Sequence, residues 1–270
     1  MSSAQIKNIC ICEANKIVSA DVKNFLINLP DVKEESITDY LIWKWRELDK
    51  RFKYIRISTF TRHKESTTTG ADFELELWLV GKRFHYSLVF QAKKFIDQYD
   101  SYVNKLNYPR GTQDQLKTLL NYSKKKNKLP FYAIYSMPDE KTLTMCGMSN
   151  LFGNGVFMVD AYNIKKFADG FYGKRVSKND ILNKSNPFHC MFCCPLIQSV
   201  GYFHQYFPSL YNSIEPRENE QLPQFVRMIL SDRMSNLDEQ EALRIIDQNE
   251  LRVFRAIGVY DLQNIDGIAF

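Results

Sequence analysis

The stretch GADFELELWLVGKRFHYSLVFQAK, residues 70–93, decides the architecture. Phe73, Leu75, Leu77 and Leu79 alternate with Asp72, Glu74, Glu76 and Trp78, and a period of two puts the two sets on opposite faces of a strand. Val80 to Arg83 supplies a turn, and Phe84 to Lys93 returns as a second strand rich in β-forming residues. With the turn centred between Gly81 and Lys82, paired positions sum to 163, which sets Asp72 opposite Gln91. Lys93 shares that face by period two, and Glu74 is the next same-face neighbour of Asp72. An acid, an amide and a lysine therefore converge at one end of a hairpin. Asp is disfavoured in strands, and a lysine in an apolar run must be solvated or paired, so the grouping asks for a chemical explanation. Carboxylate and carbonyl oxygens suit Mg²⁺ or Mn²⁺, which lowers the pKa of a bound water, and a lysine beside the ion steadies charge on a phosphate.

Upstream of the hairpin, residues 36–50 open with Ser36 and Asp39 at capping-box spacing and place Tyr40, Trp43 and Leu48 near one stripe, which predicts a helix. Residues 54–60 alternate as a half-buried strand. Downstream, Leu116, Leu119 and Leu120 predict a helix over 112–126 that ends in a lysine run. A buried strand follows at Phe131 to Met137, bounded by Pro130 and Pro138. The order is helix, three strands, helix, strand. Farther on, GVFMVDAYNIKKFAD suggests a strand leading into a helix, residues 222–233 and 237–248 read as helices, and VFRAIGVY reads as a strand.

The chain has 270 residues, with 44% hydrophobic, 14% aromatic and 25% charged side chains, the composition of an ordinary globular protein and not of a disordered or fibrous one, and the order of helices and strands above is that of an α/β fold. The organisation expected is a core over 1–140 and a mostly helical extension over 141–270, with a soft boundary. No apolar run approaches the roughly 18–20 residues a membrane helix needs, and the start lacks a basic segment followed by an apolar one, so a soluble cytoplasmic protein is expected. The net charge of +5 is unevenly spread: residues 1–40 hold 4 basic and 6 acidic side chains, 41–130 hold 19 and 9, and 131–270 hold 13 and 16. A positive field confined to the first half makes nucleic acid the first partner to test.

GAD (Gly70 to Asp72), then QAK (Gln91 to Lys93) after a hairpin, with the acidic helix start EESITD (Glu34 to Asp39) upstream, resembles the PD-(D/E)xK or restriction-endonuclease-like nucleases. The likeness is to the branch with Q-x-K in place of E-x-K, which includes Mrr-like restriction enzymes and bacterial anti-phage effectors. It covers about residues 30–137, and Ala71 stands where the family name has proline. The resemblance implies a restriction-endonuclease-like αβββαβ core with a mixed central sheet. It also implies that Asp72 and Gln91 hold Mg²⁺ or Mn²⁺, that Lys93 assists the attacking water, and that a glutamate of the first helix completes the site. Glu35 is the first choice for that glutamate and Glu34 the alternative, although acids at a helix start are favoured by the dipole regardless of function. The activity implied is metal-dependent hydrolysis of phosphodiesters, by an endonuclease acting on DNA before RNA, in anti-phage defence. A homo-oligomer or a regulatory protein partner is left open.

Tyr99, Tyr102 and Tyr108, interleaved with Lys105 and Arg110, suit base stacking and phosphate contacts as well as ordinary loop packing. The six cysteines are too few for a disulfide scaffold, and reduced thiols are expected. In FHCMFCC, Cys190 and Cys193 have a C-x-x-C spacing, with Cys10 and Cys12 as the only second pair, but the glycine turns of zinc ribbons are missing. Buried free cysteines are therefore the preferred reading, and structural zinc is not expected. Two other functions compete with the nuclease: a non-catalytic nucleic-acid-binding module of the same fold, and a structural zinc protein whose hairpin acids are incidental.

Overall fold

A computed structural model describes residues 11–52, 55–59, 73–81, 84–96, 106, 109–110, 113–145, 153–191, 217–218, 222–234, 237–261 and 263. In chain order the helices are α1 (Ile11–Asn28), α2 (Glu34–Phe52), α3 (Gln115–Lys126), α4 (Ala161–Ala168), α5 (Lys178–Leu182), α6 (Gln224–Leu230) and α7 (Glu239–Gln248). The strands are β1 (Ile55–Thr59), β2 (Phe73–Val80), β3 (Phe84–Phe95), β4 (Pro109–Arg110), β5 (Gln113–Asp114), β6 (Leu129–Ser136), β7 (Val156–Asp160), β8 (Asn186–Pro187), β9 (Arg217–Glu218) and β10 (Phe254–Asp261). The protein is of the α/β class. A mixed sheet runs β1-β10-β2-β3-β6-β7-β8, β9 pairs with the start of β3, and β4 and β5 form a small separate ladder.

The β2–β3 pair is antiparallel and β3–β6 is parallel, with α3 as the crossover between them. Leu75 faces Phe90 and Val80 faces His85, so paired positions sum to 165 and not 163. Alternation fixes which face a side chain takes but leaves the register free in steps of two, and the ladder has taken the next step. Faces are kept: Leu75, Leu77, Leu79, Leu88 and Phe90 point to one side, and Glu76, Trp78, Val89, Gln91 and Lys93 to the other.

Helices α1 and α2 cover the first face through Val18, Val22, Leu26, Ile37, Leu41 and Trp45. Helices α3, α4, α6 and α7 cover the second, with Leu116, Leu119, Ile164, Phe225, Val226 and Ile245 against Trp78, Val89 and Tyr132. Glu76 is consequently 0% exposed, although it belongs to the polar half of its strand's alternation. It accepts from Lys128 Nζ at 2.5 Å and from Ser87 Oγ at 2.7 Å, and Lys128 sits among the rings of Trp78, Tyr122 and Phe254.

β10 lies between β1 and β2, antiparallel to one and parallel to the other. Strands on both sides of position 140 therefore share one sheet, and the second half of the chain adds strands as well as helices. Pro130 falls inside β6, as its second residue, while Pro138 lies beyond the strand's end. Helix α1 docks tightly onto the start of β7: Gly155 N–H donates to Ser19 O at 3.0 Å, and a Cβ at position 155 would fall 2.3 Å from Lys23 N. Among the described residues no helix is long and apolar enough to cross a membrane.

Candidate functional site

Lys93 is centred at a junction of three elements. Strand β3 carries it near its C-terminal end, opposite Ile134 of the parallel strand β6, and it is only 7% exposed. A buried ammonium needs oxygen partners. Nζ donates to Oε1 of Gln115, the first residue of α3, at 3.0 Å, and lies 3.9 Å from a carboxylate oxygen of Glu34, the first residue of α2. Gln91 is on the same face two residues earlier, also 7% exposed.

Glu34 is itself fixed. Its other carboxylate oxygen accepts the backbone N–H of Lys94 at 2.9 Å, and its backbone oxygen accepts the Thr38 hydroxyl at 3.1 Å. Lys94 points to the opposite face by period two, where its Nζ donates to the carbonyls of Pro30 and Val32, each at 2.7 Å. These bonds pin the α1–α2 connection to β3 and set where α2 begins. Glu34 thus bridges β3 and the α2 start, and its position at a helix N-terminus adds a favourable dipole contact for its charge.

Glu35, the first choice from the sequence, is exposed, and what holds it is its backbone carbonyl, which accepts from Arg255 Nη1 at 3.0 Å. Adjacent residues on a helix diverge by about 100°, so only one of the two can face β3, and it is Glu34. Arg255 also reaches Asp39 at 2.6 Å, tying the first turns of α2 to β10. Asp72 lies outside the described residues, immediately before β2 in the chain. Tyr99, Tyr102, Lys105 and Tyr108 lie outside them as well, as do Cys10, Cys146, Cys193 and Cys194.

Gln115 is the residue that sequence reading missed. Its local context is that of any polar helix start, and only the crossover from β3 through α3 to β6 returns it to Lys93.

The donors that the structure gathers beside Lys93 are oxygens: the Glu34 carboxylate, the Gln115 amide oxygen, and, one strand repeat away, the Gln91 amide. Oxygen donors with a carboxylate among them suit Mg²⁺ or Mn²⁺ and not a soft metal. Among the described residues no three His, Cys, Asp or Glu side chains form a metal-binding group.

The second cysteine constellation is only partly in view. Cys190 is a thiol outside any disulfide, 0% exposed, and Cys12 is disulfide-bonded. The disulfide departs from the reduced state expected of all six thiols, because pairing depends on a spatial approach that separations along the chain do not reveal. His189 beside Cys190 is 2% exposed, and neither ring nitrogen has a hydrogen-bond partner among the described residues. Burial, reinforced by the Lys16 charge and opposed by Glu13, holds its pKa down at about 4, so it is neutral at physiological pH.

No curated protein and no solved structure matches the chain. Residues 11–256, spanning every helix and nearly all of the main sheet just described, match the family described as Family of unknown function (DUF6615), and the chain belongs to that family.

Proposed function

We propose that this protein is a divalent-metal-dependent nuclease that hydrolyses phosphodiester bonds, of DNA in the first instance, on a restriction-endonuclease-like core. The observation that carries the reading is Lys93, a buried lysine whose charge is met by Gln115 and Glu34 where β3, α3 and α2 come together. A lysine kept only for solubility would extend into water. With the small β4–β5 ladder set aside, the chain order α2-β1-β2-β3-α3-β6, with β2–β3 antiparallel and β3–β6 parallel, supports the same assignment.

In this reading Asp72, Gln91 and Glu34 hold Mg²⁺ or Mn²⁺, with Glu34 in the place first given to Glu35. A divalent ion held there would lower the pKa of a bound water and offset charge on the scissile phosphate. Lys93 Nζ, oriented by its bond to Gln115, donates a hydrogen bond to the attacking oxygen and offsets charge building on the phosphate. Glu34, fixed through the Lys94 N–H, places an opposite charge 3.9 Å from the ammonium and helps to aim it. Delivery of a polyanion to the site is aided by the basic middle of the chain, 19 basic against 9 acidic side chains over residues 41–130.

Calorimetric titration with Mn²⁺ tests the ligand set. Asp72→Asn keeps the shape of the carboxylate and removes the charge that offsets ion dehydration, so it should abolish a binding isotherm that the unaltered protein shows. Wild-type affinity in the variant would remove Asp72 from the site.

A further inference from the structure

The segment Asp169 to Arg175 is built to display one aromatic ring. Helix α4 ends with Gly170 at a φ of +77°, Phe171 N–H donating to Lys166 O at 2.9 Å and Gly170 N–H to Phe167 O at 3.0 Å, which is the Schellman pattern. A third bond, Gly173 N–H to Gly170 O at 3.0 Å with Gly173 at a φ of +111°, closes a turn whose two central residues are Phe171 and Tyr172. In a Schellman end the residue after the glycine ordinarily packs back on its helix. Here Tyr172 takes that place: its ring centroid is 4.6 Å from buried Phe167, and Lys184 Nζ lies 5.6 Å from it. Phe171 stands edge to face on Tyr172 at 5.1 Å and 90°, and is left 75% exposed. The ring is thus held in a fixed orientation by the turn and by Tyr172, with one face open to a planar partner.

The surroundings are cationic. Residues 161–185 carry six basic and two acidic side chains. Lys165 is paired with Asp169 and Lys178 with Asp139, whereas Lys166, Lys174 and Arg175 are exposed and make no ion pair among the described residues. Helix α4 packs beside α3 on the sheet face that carries Gln91 and Lys93. We infer that this turn is a nucleic-acid contact in which Phe171 stacks on an unpaired base while Lys174 and Arg175 meet the flanking phosphates. The inference rests on the nuclease reading above and names the form of substrate it engages: a strand with exposed bases.

The test measures binding apart from cleavage, by fluorescence anisotropy of labelled oligothymidylate and of a labelled duplex in EDTA, for the full chain and for Phe171→Ala, Phe171→Trp and Lys174→Gln/Arg175→Gln. Removing one stacking platform should weaken the single strand by about tenfold, and the duplex by much less. Phe171→Trp should restore affinity, with its emission quenched on binding. The charge variant should weaken single strand and duplex together and flatten the salt dependence. Phe171 is exposed, so the variants should fold, and circular dichroism checks that they do. Equal single-strand affinity for Phe171→Ala and the unaltered protein would overturn the inference. Phe171-dependent binding to phosphatidylserine vesicles with none to oligonucleotides would do so too, and would make the turn a membrane contact. If the protein cleaves nucleic acid while Phe171 is dispensable for binding, the stacking inference alone fails; if it neither binds nor cleaves any nucleic acid, the nuclease reading fails with it.

Discussion

Lys128→Met should be among the most damaging single substitutions in this fold. Glu76 is 0% exposed and its carboxylate has two partners, Lys128 at 2.5 Å and Ser87 at 2.7 Å, while the second oxygen has none among the described residues. Methionine matches the length of the lysine stem and suits a surround of Trp78, Tyr122 and Phe254, whose ring centroids lie 5.9, 5.6 and 5.2 Å from Nζ. Shape is thereby kept, and what is lost is the charge that compensates Glu76. Breaking a buried pair from one side costs about 3–5 kcal/mol, because an uncompensated charge stays inside. With a urea m-value near 3 kcal/mol/M, that is a fall of roughly 1–1.7 M in the midpoint. The double variant Glu76→Met/Lys128→Met removes both charges, and should recover most of the loss, short by about 1 kcal/mol for the Ser87 hydroxyl left without its acceptor. Urea melts of the four proteins in the cycle measure the coupling directly. A cost under about 1 kcal/mol for the single variant, or a double variant no better than the single, would refute the argument that this pair is buried and interdependent.

Gly155→Ala should destabilise by about 1–3 kcal/mol or more, since the new methyl would meet the backbone of α1 at Lys23 and force the α1–β7 contact apart; a shift in thermal midpoint checks it. His189 is held neutral by burial, with a folded pKa of about 4 against about 6.5 unfolded, so the stability it contributes is complete above pH 6.5 and is lost as pH falls toward 4. His189→Phe should flatten that part of the stability profile, by up to about 1.4 kcal/mol per pH unit, in urea melts between pH 7.5 and 4.5. Cys190→Ser should cost about 1–3 kcal/mol through a buried hydroxyl in place of a thiol, and metal analysis should find no stoichiometric zinc before or after the change. A chelator that unfolds the unaltered protein would reverse that last expectation.

The elements that the sequence makes legible are those whose periodicity is self-contained. Alternation across β2 and β3 marks a hairpin without help from the rest of the chain, and the leucines of α3 and the apolar stripe of α2 do the same for those helices, although α2 begins at Glu34, so Ser36 lies inside it and does not cap it. Helix α1 is not among the helices read from the sequence although Val18, Val22 and Leu26 repeat at helical spacing. Long-range facts were out of reach for a different reason. Nothing near residue 254 says that β10 will enter between β1 and β2, and nothing near Glu76 says that Lys128 will arrive to neutralise it. At the candidate site, period two was enough to put Gln91 and Lys93 together on one face, whereas the choice between Glu34 and Glu35 depends on the rotation of α2, which the Lys94 bonds to Pro30 and Val32 set. Gln115 depends on where the crossover lands, a tertiary fact.

The most direct test of the central claim is cleavage itself. Purified protein and Lys93→Ala are incubated with supercoiled DNA, single-stranded DNA and structured RNA, each with Mg²⁺, Mn²⁺ or EDTA, and the rates of strand breakage are compared. The nuclease account predicts metal-dependent cleavage of at least one substrate, silence in EDTA, and a loss of about 100-fold or more in Lys93→Ala with the circular dichroism spectrum unchanged. Absence of cleavage under every condition, or cleavage by Lys93→Ala at the rate of the unaltered protein, would contradict it.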